Sequence, residues 1–123
     1  MKEIALFEQQ LPVTPIEPLN GEYGSNHCFI KRDDLLPFSF GGNKVRKAAE
    51  FYKEIRDNDV DLVMTYGSNS SNHCRIIANM AAAMGIACHI ISPEENREIL
   101  YNTRMVEQFG GSIETCPVSM VAE

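Results

Sequence analysis

The sequence predicts an α/β fold built on a parallel sheet flanked by helices. Two observations carry that expectation. From Lys44 onward the apolar residues switch repeatedly between helical and strand periodicity, and glycines or small polar residues mark each switch. The resulting order is helix, strand, helix, strand, helix, strand. Strands alternating with helices at this spacing imply βαβ crossovers in a parallel sheet covered on both faces.

Before Lys44 the chain reads differently. Pro12, Pro15, Pro18 and Pro37 rule out a continuous helix between Leu11 and Pro37, so residues 1–43 are expected to be an extended, surface-hugging segment. Within it Cys28-Phe29-Ile30-Lys31 has the make-up of a short strand, followed by the charged turn Arg32-Asp33-Asp34 and then by Gly41-Gly42-Asn43. Val45, Ala48, Ala49, Tyr52 and Ile55 form one apolar stripe, which predicts a helix from Lys44 to about Ile55. Leu62 to Tyr66 is expected to be a buried strand, closed by Gly67-Ser68-Asn69-Ser70. A helix follows from about Ser71 to Met84, apolar on most of its circumference and stopped by Gly85.

Ile86 to Ile91 reads as the next strand. Ser92-Pro93-Glu94-Glu95 then has the form of a capping box, with proline at the first helical position and acids that complement the helix dipole. That helix is expected to reach Phe109, Gly110-Gly111 ends it, and Ile113 to Val118 is the last strand.

Composition narrows the function classes. The chain has 123 residues, 44% hydrophobic and 23% charged, which suits a globular protein of one ordinary domain. No apolar run approaches the roughly 18 to 20 residues of a membrane span. Met1 to Phe7 lacks the apolar core and cleavage site of an export signal, so a cytoplasmic location is expected. Cys28, Cys74, Cys88 and Cys116 form no CxxC pair and read as reduced thiols. A net charge of -6 from dispersed acids, with no tryptophan and no basic stripe, argues against a nucleic-acid partner. Ser25-Asn26-His27-Cys28 recurs as Ser71-Asn72-His73-Cys74, but four residues are too few for a structural repeat, and the His–Cys spacing is too tight for a usual zinc pair.

Two local features could carry chemistry. Lys44 follows two glycines and an asparagine at the start of a helix, where the dipole disfavours a cation by roughly 0.3–1 kcal/mol. The same bias favours a neutral amine, the form that condenses with a carbonyl cofactor. Gly41 and Gly42 allow close backbone approach and positive φ. A solvated lysine beside a loop is the competing reading. The second feature is the small polar loop Gly67 to His73, at the carboxyl end of a parallel strand and the start of a helix, where exposed N–H groups attract a carboxylate or phosphate. Here the competing reading is Ser70 or Ser71 acting only as a helix cap. The loop is no P-loop, because no Gly-Lys-Ser/Thr ending follows. His73 either contacts an acidic ligand or bonds the backbone. His27 and His89 have no partner legible in the sequence, and His89, inside an apolar run, is expected to be a satisfied core histidine.

Three stretches together, Phe29-Ile30-Lys31-Arg32-Asp33-Asp34, Gly41-Gly42-Asn43-Lys44-Val45-Arg46-Lys47 and Ser70-Ser71-Asn72-His73-Cys74-Arg75, resemble a known family in their order and spacing. It is the D-cysteine desulfhydrase and 1-aminocyclopropane-1-carboxylate (ACC) deaminase family of fold-type II pyridoxal 5'-phosphate (PLP) enzymes, whose fold is tryptophan synthase β-like. The resemblance implies that Lys44 forms the internal aldimine with PLP and then transfers protons. It implies that Asn72 bonds the cofactor's 3-oxygen, that Ser71 lies over the cofactor near the substrate, and that Ser71, Asn72 and His73 receive the substrate carboxylate.

The activity so implied is a lyase or deaminase acting on a small amino acid such as D-cysteine or ACC, by proton abstraction and elimination or ring opening. Related fold-type II activities, β-replacement or racemisation, share the lysine step. A non-catalytic assembly or regulatory module is the alternative from another class. Residues 1–43 would then belong to a larger cofactor domain and residues 44–123 to a smaller βαβ domain. In the family the glycine-rich phosphate cup, the partner of the pyridine nitrogen and a catalytic tyrosine lie further along a longer chain. A second polypeptide or a further C-terminal segment is therefore expected to complete the site, and a homo-oligomer is compatible with this arrangement.

Overall fold

The computed structural model describes residues 1–68, 70–93 and 100–120. Its centre is a three-stranded parallel sheet of β3 (Leu62–Tyr66), β4 (Ala87–Pro93) and β5 (Ser112–Cys116), hydrogen-bonded in that order. Leu62 pairs with Ala87 at one end of the first ladder, and Pro93 pairs with Cys116 at the end of the second. Helix α3 (Asn72–Met84) crosses from β3 to β4 and packs between α2 (Lys44–Asp57) and α4 (Tyr101–Gln108).

The helices form where the apolar stripes lie. Val45, Ala48, Ala49, Tyr52 and Ile55, the stripe of α2, are all buried. Helix α3 buries Ile76, Ile77, Met80, Ala81 and Met84, each no more than 2% exposed. It ends as its glycine predicts: Gly85 takes a left-handed φ of 76°, and the N–H of Ile86 reaches back to the Ala81 carbonyl at 3.0 Å.

Three expectations are corrected. The first concerns coverage of the sheet. Val63, Thr65, Cys88, Ile90 and Ile113 face the helices, but β3 is an edge strand, and on its other face Leu62, Met64 and Tyr66 are 45%, 59% and 46% exposed. The described helices all pack together on one side, so among the described residues the second face is open. The strand from Leu62 to Tyr66 is therefore half-exposed rather than buried.

The second correction concerns the start of α4. Ser92 and Pro93 are not a helix cap; they extend β4, where Ser92 is 1% exposed and pairs with Thr115. Glu94 and Glu95 lie outside the described residues, and the described helix begins at Tyr101. Ladder pairing with β5, a non-local interaction, outweighs the local capping signal.

The third concerns the N-terminal segment, which does more than lie on the surface. A short helix, α1 (Ala5–Glu8), drives Phe7 into the core, 1% exposed. Its ring sits 4.8 Å from Phe38 and 5.5 Å from Tyr52 of α2. The Tyr52 hydroxyl donates to the Glu8 carboxylate and accepts from the N–H of Ile4 at 3.2 Å. Beyond it β1 (Ile16–Pro18) and β2 (Phe29–Lys31) form an antiparallel pair. The prolines prevent a long helix, as expected, but they do not prevent docking by one aromatic side chain.

Phe7 is therefore the main apolar link between the segment and α2. Phe7→Ala is expected to lower the unfolding free energy by about 3–5 kcal/mol in a urea titration, since it deletes a fully buried ring.

Candidate active site

Lys44 is the first residue of α2, and the turn before it is held from several sides. Gly41 and Gly42 have φ values of 70° and 104°. A Cβ on Gly41 would lie 2.3 Å from the Asp34 carbonyl oxygen, so only glycine fits there. The Gly42 N–H donates to the Asp33 carbonyl at 2.7 Å.

The Asp33 side chain is the centre of this region. Arg46, in the first turn of α2, grips its carboxylate with two bonds, Nε at 3.0 Å and Nη2 at 2.8 Å. Thr14 donates its hydroxyl to the same carboxylate at 2.6 Å, and Lys31 stands 3.9 Å away. The bonds from Arg46 and then Thr14 outweigh the cost of burial and hold Asp33 down at about 2.

The opposite wall is the start of α3. Ser71 caps the helix, its Oγ accepting from the Cys74 N–H at 3.3 Å, so the capping reading of this serine holds. The strand reaches that cap through Gly67, where a Cβ would lie 2.6 Å from the Cys74 sulfur and 3.1 Å from the Ser71 hydroxyl. The Asn72 Oδ1 accepts from Arg75 at 3.0 Å and from Asn102 of α4 at 3.1 Å. Arginine can only donate, which fixes the amide assignment and turns the Asn72 NH2 group away from these partners. The N–H groups of Asn72 and His73 belong to the first turn, which a helix cannot satisfy internally.

Among the described residues the His73 side chain bonds a hydroxyl rather than the backbone. Its Nε2 lies 3.0 Å from the Thr65 hydroxyl on β3, and its ring meets Phe51 edge-on at 6.3 Å. Burial, followed by the like charges of Lys47 and Lys44, pushes His73 below its usual range. Lys44 thus opens α2, and Ser71, Asn72 and His73 stand at the start of α3 with the His73 ring toward β3; Arg75 links the two beginnings, its Nη2 3.5 Å from the Gly41 carbonyl.

His89 is satisfied but is not a core residue. It lies on the open face of the sheet, with Nδ1 2.8 Å from the Ser112 hydroxyl and Nε2 3.2 Å from Glu114 on β5. Sequence reasoning gave no role to Arg75, Asn102 or Thr65. Arg75 stood inside a quoted motif, whereas nothing local marks Asn102 or Thr65, whose partners lie on other elements.

The site elements thus sit at two helix starts of a parallel α/β unit, an amine at the first residue of α2 and a serine-capped turn bearing an amide at the start of α3. The chain belongs to the family of pyridoxal-phosphate-dependent enzymes, whose model matches residues 4–122. Its relatives include the D-cysteine desulfhydrase of Salmonella paratyphi A, 33% identical over 113 residues, which span 85% of this chain and 34% of the relative. The enzyme of the same name from Serratia proteamaculans is 33% identical over 111 residues, with 84% and 34% covered. Among solved structures an ACC deaminase homologue superposes with a TM-score of 0.74 at 26% identity, covering 91% of this chain and 37% of that one. The chain therefore has a fold-type II architecture and spans about a third of the length of the relatives it matches. Among the described residues no helix is long and apolar enough to cross a membrane.

The Asp33 cluster generates a pH prediction. Folding lowers the Asp33 value from 3.8 to about 2, so its contribution is complete well above 3.8 and is lost as the pH falls toward 2. Asp33→Asn is expected to cost about 2 kcal/mol at neutral pH, the scale of a charged hydrogen bond. The difference from the wild type should shrink in urea titrations carried from pH 6 to pH 2.

Proposed function

We propose that the protein works as the N-terminal part of a PLP-dependent enzyme acting on a small amino acid of the D-cysteine or ACC type. One observation supports this reading above the others: the glycine turn that leads into Lys44 is in contact with the start of α3, which bears Ser71, Asn72 and His73, through Arg75 Nη2 at 3.5 Å from the Gly41 carbonyl. The names of the relatives point to the same substrate class.

When bound, PLP condenses with amines and draws electrons from the bonds at the amino acid's Cα. Lys44 would hold the cofactor covalently and move a proton with its amine. Asn72, its oxygen occupied by Arg75 and Asn102, has its NH2 group free of those partners and would donate it to the cofactor's ring oxygen. The first-turn N–H groups of Asn72 and His73 receive the substrate carboxylate, and the Ser71 hydroxyl, which only accepts in its cap, retains a proton to donate. Loss of a β-substituent would make the reaction a lyase, and ring opening followed by hydrolysis a deaminase. Residues 1–43 would begin the larger cofactor domain and residues 44–123 the smaller one, with a further segment or second polypeptide completing the phosphate and ring-nitrogen contacts. A homo-oligomer fits this arrangement. A non-catalytic assembly module is the second reading, favoured by the Ser71 cap alone.

Mixing the protein with PLP, alone and with any co-purifying polypeptide, should give a visible absorbance band that Lys44→Ala removes. Released pyruvate, 2-oxobutyrate or sulfide across small D- and L-amino acids then identifies the substrate. No band with a completing polypeptide present leaves only the non-catalytic reading.

A further inference from the structure

Arg75 is a cation on the first turn of α3, where the helix dipole disfavours positive charge. Among the described residues no carboxylate pairs with it, in contrast to Arg32, Arg46 and Arg56, each of which forms a salt bridge. Its Nε is buried with no hydrogen-bond partner, and burial alone holds the guanidinium below its ordinary value. A guanidinium placed at such cost to stability is a candidate for a use beyond folding.

Its contacts show what that use is. Nη1 donates to Asn72 Oδ1 at 3.0 Å and to Asn102 Oδ1 at 3.2 Å. Nη2 makes a long contact of 3.5 Å with the Gly41 carbonyl, in the turn before Lys44, and the guanidinium carbon lies 5.8 Å from the Phe40 ring centre. Asn102 also donates to the Ser70 carbonyl at 2.7 Å, so α4 holds the residue just before the cap of α3.

We propose that Arg75 is a positioning residue: with Asn102 it locks the Asn72 amide so that its NH2 group faces the site, and it ties the glycine turn before Lys44 to the start of α3. This deepens the proposed function and rests on it for the identity of the ligand that Asn72 meets. The locking itself is a property of the cofactor-free protein.

Two measurements decide it. In the NMR spectrum of the cofactor-free protein, the side-chain NH2 shifts of Asn72 and Asn102 should be displaced from free-amide positions, and the Asn102 protons, which donate to Ser70 and Asn72, should also exchange slowly. Arg75→Gln should return the Asn72 pair to the position of a free amide, and Asn102→Ala should move it part of the way. An unchanged Asn72 pair overturns the proposal whether or not the protein binds PLP. In PLP titrations followed by absorbance, Arg75→Gln should raise the dissociation constant about tenfold, the scale of one charge-assisted bond. In an Asn72→Ala background the same change should have less than about a twofold effect. Equal losses in both backgrounds show that Arg75 does not act through Asn72 and also overturn the proposal. A wild type that ignores PLP, with the amide shifts as expected, removes the cofactor reading and leaves the positioning role supported. Should Arg75→Gln fail to fold, Asn102→Ala and Arg75→Lys carry both measurements. Lysine keeps the charge but cannot bridge the Asn72 and Gly41 oxygens with two nitrogens, so it should release the glycine turn and move the Asn72 pair only part of the way.

Discussion

The position of Lys44 depends on Asp33. This one residue uses its carboxylate to hold Arg46 and Thr14 and its backbone carbonyl to hold Gly42, so it fastens the turn before α2 to the N-terminal segment on both sides of Lys44. Without those bonds the two positive-φ glycines would be a flexible hinge, and the amine would be free to take many positions. The paired geometry matters more than net stabilisation here. A half-buried ion pair returns little energy over an apolar substitute, but it tolerates few alternative arrangements.

The second requirement is that α2 and α3 keep their relative placement. Neither reaches it through the sheet alone. Tyr52 and Ile55 of α2 belong to the same core as Ile76, Ile77 and Met80 of α3, while Phe7 closes the outer side of Tyr52. A cleft of about 240 Å³, lined by Phe51, Thr65, His73 and Met80 among others, lies between these helices and β3. His73 spans that region through Thr65, so the first turn of α3 is braced to the strand as well as to its neighbouring helices.

The sequence made some parts of this arrangement legible and concealed others for a physical reason. Helices α2 and α3 were readable to within a few residues because their stripes and the Gly85 stop are local signals, and the glycine or serine ahead of each helix likewise marked Lys44 and the run Ser71 to His73 as helix beginnings. The true start of α4, the docking of Phe7 and the exposed face of β3 were not readable. Each depends on pairing or packing with something distant in the chain: β5 for Ser92, Tyr52 for Phe7, and the one-sided stacking of the described helices for Met64. Asn102 was hidden for the same reason, since its importance lies in reaching Ser70 and Asn72 from another helix.

The two arginine clusters differ in a way that bears on function. Arg46 meets an acid and completes a compensated pair, the arrangement expected where rigidity is the only demand. Among the described residues Arg75 meets two amides and a carbonyl, which take up its Nη donors without neutralising charge. An aspartate in place of Asn102 would compensate the guanidinium, but it would also place a negative group beside Asn72 and reduce the positive field at the start of α3. Neutral partners keep the orientation and leave the positive field in place. The same choice explains why the first turn of α3 bears no acid although the dipole would favour one. A helix beginning that is positive by dipole, by Arg75 and by nearby Lys44 and Lys47 is poorly arranged for stability and well arranged to hold an anion.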